Sequence, residues 1–257
     1  MPRADRTGRP VGVSGPEAVA DLLWRTEAER AEGARPRLSA RLIVDAAVAI
    51  VDAEGLDALS MQRIASELGY SSMALYRHIP GKDQLVAAMV DATTGRPPAP
   101  SSPPAAWRTE IESWVEALWD LYLSHPWMVR APTLSAPVGP NELAWFEALL
   151  SPLARAGLHR SELVPIATFV SSAVRDLARV ATELDLAGAA SYGRVLAQRL
   201  DPELFPVLCS IAAGEGLDEE EDGDVTPIVR AGVRRLLDGV EARLALHSTQ
   251  GEEKRHG

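Results

Sequence analysis

Apolar residues recur at helical spacing along most of the chain, and glycine, proline and small hydroxyl residues punctuate them. Leu42, Ile43, Ala46, Ala47, Ile50 and Val51 predict a helix over Ser39–Glu54, capped by Ser39 and stopped by Gly55. Ser60 to Lys82 then divides into two short helical patterns joined at Gly69-Tyr70. In the first, Ser60 caps, and Ile64, Ala65 and Leu68 share a face. In the second, Ser71 or Ser72 caps, and Ala74, Leu75 and Ile79 turn inward. A fourth helix is predicted over Lys82–Thr94 with Leu85, Val86, Met89 and Val90 on it. Gly95 to Ala106 is a proline-rich break that a helix does not cross.

From Trp107 onward the pattern is again helical. Trp107–Ser124 carries Ile111, Trp114, Val115, Leu118, Trp119 and Tyr122 on one broad face and is broken at His125-Pro126-Trp127. Further helices are predicted over Asn141–Ala156, with Asn141 as cap, Gly157 as stop and Pro152 expected to bend or shorten it, and from Ser161 to about Leu186. Short pieces follow over Tyr192–Leu200 and Glu203–Ala213, and a last helix runs from Thr226 to about Leu246. Upstream, Pro16–Ala31 suits one short helix with Val19, Leu22 and Leu23 on one side. Residues 1–36 therefore read as a mobile tail with one marginal helix, the alternative being a basic arm that follows DNA through Arg35 and Arg37. With no convincing strand, the fold class is all-α: a three-helix head over 37–95 and a helical body over 105–247.

The paired short helices carry the first functional signal. Two helices crossing near a right angle over a short turn make the helix-turn-helix unit, whose second helix fits the DNA major groove. The outward positions of that helix are Ser72, Met73, Tyr76, Arg77 and His78. None is acidic, whereas an ordinary solvated helix face would carry Glu or Asp. The stretch resembles the TetR family of transcriptional regulators at Ser60, Ile64-Ala65, Leu68-Gly69, Ser71 and above all Leu75-Tyr76-Arg77-His78-Ile79-Pro80-Gly81-Lys82-Asp83. Ile79 stands where the family pattern has Phe. The body resembles the tetracycline-repressor type of C-terminal domain through Trp107-Arg108, His125-Pro126-Trp127 and Gly157-Leu158.

That resemblance implies base-contacting positions at Gln62, Ser72, Met73, Tyr76 and Arg77. Gln62 has the geometry to pair with adenine and Arg77 with guanine, and Met73 can pack on a thymine methyl. Ser60, Ser71, Tyr76, His78 and Lys82 are placed to hold phosphates, which fixes register without reading sequence. The competing reading is that Tyr76 and His78 only tie the second helix to the head, as amphipathic side chains do.

Composition tempers this picture without reversing it. The net charge of −10 argues against a nucleic-acid partner, but Glu215, Asp218, Glu219, Glu220, Glu221, Asp222 and Asp224 concentrate much of it far from the motif. Arg35, Arg37, Arg41, Arg63, Arg77 and Lys82 supply positive charge nearby, and phosphate affinity follows the local field. The acidic run has a superficial calcium-loop look, but Val229 stands where the bidentate Glu is needed, so no metal site and no cofactor are expected. A single cysteine, Cys209, suits a reducing cytoplasm, and no apolar run is long enough to span a bilayer.

The body holds Trp114, Trp119, Trp127, Trp145, Phe146 and Phe169 in a chain with only 5% aromatic residues. With His125 and Arg175 they form the candidate small-molecule pocket, since bundles build such sites from facing side chains. The bland alternative is that they are core. Val229, Val233, Leu236, Val240 and Leu244 form an apolar stripe on the last helix. With Val170 and Val174 of the long helix, they predict a four-helix dimer interface across a twofold axis. Such a dimer would set two recognition helices about 34–36 Å apart on a near-palindromic site. The resulting expectation is a homodimeric repressor that binds operator DNA and is released by a small-molecule effector. Two other readings stand beside it: a helical enzyme for a small apolar substrate, which lacks any nucleophile–base pair, and a DNA-binding dimer without an effector.

Overall fold

The computed structural model describes residues 16–31, 38–99, 106–132, 138–183, 199–213 and 226–253. In chain order the helices are α1 (Pro16–Ala31), α2 (Ala40–Glu54), α3 (Met61–Leu68), α4 (Ser72–Tyr76), α5 (Lys82–Thr94) and α6 (Trp107–Ser124). They continue with α7 (Trp127–Arg130), α8 (Pro140–Arg155), α9 (Arg160–Glu183), α10 (Pro206–Ala213) and α11 (Thr226–Glu253). No strand occurs among the described residues. Arg35, Arg37, the acidic run 215–224 and most of the piece predicted over Tyr192–Leu200 lie outside them.

Two compact units form, residues 1–106 with 130–155, and residues 107–129 with 156–257. The chain therefore passes between them after 106, 129 and 155. The segment 130–155, read from sequence as part of the body, clusters with the head.

In the first unit α5 is the central helix, packing on α1, α2 and α8. Gln84, Leu85, Val86, Ala88, Met89, Val90 and Asp91 of α5 are all buried. Helix α2 contributes Ala40, Ile43, Val44, Ala47, Ile50 and Val51 to the same core. Leu42, expected inside, faces out because the buried stripe starts one residue later. Ser39 caps α2 by accepting from the Leu42 N–H at 3.2 Å, and Gly55 ends it with φ 84°. Far from being a marginal helix on a tail, α1 buries Val19, Leu22, Leu23 and Thr26, spaced as one helical stripe. Tertiary packing supplies the stability that its sequence alone would not.

Helix α8 joins this unit through Asp91, which is only 3% exposed. Its Oδ1 accepts from the N–H groups of Asn141 and Glu142, and its Oδ2 from the Asn141 side chain, each at 3.0 Å. A buried carboxylate thus caps a helix N-terminus. Gly139 is required there, because a Cβ would overlap the Asp91 carboxylate. Pro152 does not shorten α8: it is buried, and the helix continues to Arg155.

In the second unit α6 packs on α9, and α11 packs on both. Ile111, Trp114, Val115, Leu118 and Trp119 meet Ala167, Val170, Val174 and Ala178 in its core. Val229, Val233, Leu237 and Val240 of α11 are buried as well. Arg108 ties α6 to α11 through Asp238 and, at 3.2 Å, Glu241. Arg243 of α11 pairs with Glu162 of α9 at 2.6 Å. No helix among the described residues is long and apolar enough to cross a membrane.

Candidate nucleic-acid interface

Local sequence builds the helix-turn-helix almost unaided. The Ser60 hydroxyl accepts from the Arg63 N–H at 3.1 Å and starts α3. Gly69 adopts the left-handed conformation with φ 71°, and its N–H bonds back to Ala65 and Ser66. The Ser71 hydroxyl then accepts from the Ala74 N–H at 3.3 Å and starts α4. Ile64 and Leu75, both fully buried, lock the pair onto the head.

With Ala74, Leu75 and Ile79 turned inward, the other side of α4 is left to solvent. Met73 is 74% exposed and Tyr76 47%. Gln62 on α3 and Arg77 after α4 are also exposed, while Ser72 is half-buried. Helix α4 is only five residues long, so Arg77 follows it as the C-cap. Ser60 and Ser71 are exposed, and each keeps a hydroxyl proton to donate after capping. Lys82, exposed, opens α5 behind Gly81, which supplies no side-chain cap. His78 is half-buried, and its carbonyl accepts from the Arg25 guanidinium at 2.9 Å.

The charge near this surface differs from what the sequence suggests. Arg63 is bridged to Glu67 at 2.7 Å and Glu54 at 2.9 Å. Its hydrogen bond to Glu67, then that to Glu54, holds the guanidinium still further into its charged range. Arg41 pairs with Asp45. Arg77 and Lys82 form no ion pair among the described residues, so the available positive charge is concentrated beside α4.

The aromatic residues expected to line a pocket are divided between the two units. Trp114, Trp119 and Trp127 are buried in the second unit, where His125 and Arg175 are half-buried. Trp145 and Phe146 belong to α8 in the other unit, and the Trp145 indole donates to the Thr94 and Gly95 carbonyls at 3.1 Å each. Phe169 is 61% exposed on α9. The face of each helix toward its own neighbours, which helical spacing alone does not specify, separates these residues. The buried Trp119 indole N–H has no hydrogen-bond partner among the described residues. Trp119 also lines a groove of about 280 Å³ between α6 and α11, with Val115, Leu123, Val229 and Arg230.

The predicted dimer stripe needs a similar correction. Val170, Val174, Val229, Val233 and Val240 are buried within the protomer, and only Leu236 and Leu244 remain half-buried. The apolar spacing on α9 and α11 serves the intrachain core. What α9 leaves outside is Val164 and Phe169, and α11 leaves Ile228.

Sequence reasoning missed Asp91 and Arg25, and Asn141, expected as the cap of α8, lies inside a helix that starts at Pro140 and is capped by Asp91. A signal for Asp91 existed: it lies three residues after Ala88 on the inward face of α5, where an acid needs partners. Nothing local signals Arg25, whose partner is 53 residues away.

Comparison with known proteins agrees with this geometry. The family described as bacterial regulatory proteins, tetR family, matches residues 43–89. The tetracyclin repressor-like C-terminal domain matches residues 99–244. The HTH-type transcriptional repressor DrrR1 of Streptomyces coeruleorubidus is 32% identical over 240 residues, covering 88% of this chain and 85% of that protein. ActR of Streptomyces coelicolor in complex with (S)-DNPA is 26% identical with a TM-score of 0.69, covering 81% of this chain and 99% of ActR. Its complex with actinorhodin gives 27% and 0.67, covering 80% and 96%. The buried helix-turn-helix core, the acid-free outer face of α4 and these matches together make the chain a member of the tetR family of bacterial regulatory proteins.

Proposed function

We propose that the chain is a cytoplasmic, homodimeric transcriptional repressor that reads a near-palindromic operator through α4 and is released by a small molecule held in its second unit. The observation that carries this reading is the outer surface of α3 and α4: Gln62, Met73, Tyr76 and Arg77 exposed together, no acid among them, with Arg77 and Lys82 in no ion pair among the described residues. Gln62 and Arg77 read base edges and Met73 packs on a thymine methyl. Ser60, Ser71, Tyr76 and Lys82 hold phosphates. DrrR1, a named repressor, supports repression as the direction of control.

The effector is an aromatic molecule with a hydrogen-bond acceptor. Supporting this are the buried indoles of Trp114, Trp119 and Trp127, and above all the Trp119 N–H, a buried donor without an acceptor among the described residues. ActR is known in complexes with (S)-DNPA and with actinorhodin, which supports a small organic effector of this kind. The second copy docks on the outer faces of α9 and α11, where Val164, Phe169 and Ile228 stand exposed. The chain performs no catalytic step.

Selection of bound duplexes from a random pool tests the DNA reading. The expected outcome is a near-palindrome whose affinity falls steeply with salt and falls further in Arg77→Ala. Recovery of no preferred sequence would overturn it. A screen for compounds that both raise the melting temperature and release that duplex tests the effector reading. Turnover of such a compound would favour an enzyme instead.

A further inference from the structure

Helix α1 lies ahead of residues 43–89, the part of the head that matches the family. Its buried stripe of Val19, Leu22, Leu23 and Thr26 anchors it firmly, and α5, α2 and α8 are its neighbours. The Thr26 hydroxyl bonds to the Leu22 carbonyl at 2.9 Å, so that buried polar group is satisfied within the helix. Arg25 stands off this stripe, exposed, and spends its guanidinium on one contact across the fold: Nη2 donates to the His78 carbonyl oxygen at 2.9 Å.

The place of that carbonyl gives the contact its meaning. Helix α4 ends at Tyr76, and the N–H groups of His78 and Ile79 both return to the Leu75 carbonyl. The backbone then leaves the helix through Pro80 and Gly81 to Lys82. This short connection carries two cations that form no ion pair among the described residues, Arg77 immediately before His78 and Lys82 four residues after it. A carbonyl at the end of a helix is electron-rich, and a guanidinium holds it in place better than water would.

We infer that Arg25 is a positioning residue for operator recognition: by holding the His78 carbonyl, α1 fixes the exit of the recognition helix and with it the aim of Arg77 and Lys82. It acts through the backbone, not by touching DNA. The competing role, a third cation on a phosphate, is an outcome that the test separates. The inference rests on the operator-binding reading, and the parent protein serves as the control for that: if the parent selects no duplex, the functional reading fails before Arg25 is tested.

The experiment compares the full-length parent with Arg25→Met, Arg25→Gln and Arg25→Lys on the selected operator and on a scrambled duplex, across a range of salt. Arg25→Met keeps the aliphatic stem and removes the donor. It is expected to lose roughly five- to tenfold in operator affinity, the scale of one exposed charge-assisted bond. Binding to the scrambled duplex, the salt slope and the melting temperature should stay near parent values. Arg25→Gln, neutral but still a donor, should recover most of the loss, as should Arg25→Lys. A phosphate contact would behave otherwise: both neutral variants would fall together on either duplex, and the slope of log affinity against log salt would drop by about one. That result overturns the proposal, and so does parent-like operator affinity in Arg25→Met.

Discussion

The two units of this protein are held together by different kinds of polar contact. In the unit that carries the helix-turn-helix, exposed links such as Arg63–Glu54 and Arg25 to the His78 carbonyl are joined by a buried one, with Asp91 capping α8 through Asn141 and Glu142. In the unit built on α6, α9 and α11, the links are exposed arginine pairs: Arg108 to Asp238 and Glu241, Arg230 to Glu116, and Arg243 to Glu162. Among the described residues each unit also leaves a buried polar atom without a hydrogen-bond partner, the Thr93 hydroxyl in the first and the Trp119 indole N–H in the second, and the second leaves Phe169 in solvent. A buried, saturated contact has one geometry and resists rearrangement, whereas exposed ion pairs contribute little and exchange partners easily. A surface that must present side chains to DNA in fixed register requires the first kind. A unit that must accept a ligand or a second copy is served by the second.

The sharpest way to break this contrast is to empty the head core. Leu75→Ala removes a fully buried side chain between α4 and the rest of the head, and should cost about 2–5 kcal/mol in urea-induced unfolding, abolishing operator binding with it. Next comes the buried cap. Asp91→Ala strands the N–H groups of Asn141 and Glu142 and should cost on the order of 2–3 kcal/mol, while Asp91→Asn, which keeps an acceptor, should cost less.

The Asp91 carboxyl also gives a pH signature. Burial raises its pKa above the ordinary carboxylate range, against the hydrogen bonds from Glu142 and Asn141 that lower it. The native state therefore holds this proton more tightly than the unfolded chain does. The stability contribution of Asp91 falls as pH rises through the window from the ordinary carboxylate range to the raised value. Unfolding measured across that window should show the slope in the parent and its loss in Asp91→Asn.

Smaller effects belong to the other unit. Trp119→Phe removes a buried donor that no partner satisfies, so unfolding should show no loss and up to about 1 kcal/mol of gain. The same variant should weaken any effector that accepts from that N–H. Smallest of all, Arg108→Ala should lower the melting temperature by about two degrees at low salt and leave it unchanged at 1 M, since screening removes what exposed pairs contribute. A large Arg108→Ala effect that persisted in salt would erase the difference between the units.

Much of the molecule was legible because its signals are local. Ser39, Ser60, Ser71, Gly55 and Gly69 do in the fold what their residue types require, since a cap or a left-handed turn is decided within four residues. The α4 surface could be read for the same reason: five helical residues with two facing inward leave few choices for the rest. Helical spacing on α9 and α11 marks apolar faces, and five of the seven positions expected at an intersubunit contact are buried within the protomer. Periodicity says that a face is covered without saying by what, and here α6 covers it.

The sequence by itself determined the all-helical class, the helix-turn-helix and which side chains of α4 face out, because hydrogen bonds and packing within one or two turns settle those. Only the tertiary structure decided that α8 joins the head, that Asp91 caps it, that Arg63 is neutralised by Glu54 and Glu67, and that Arg25 holds the His78 carbonyl. With the exception of the Arg63–Glu67 pair, which spans one helical turn, each of these depends on groups brought together across nine or more residues. The cost of burying or pairing them is set by the folded surroundings, which the residue types alone do not record.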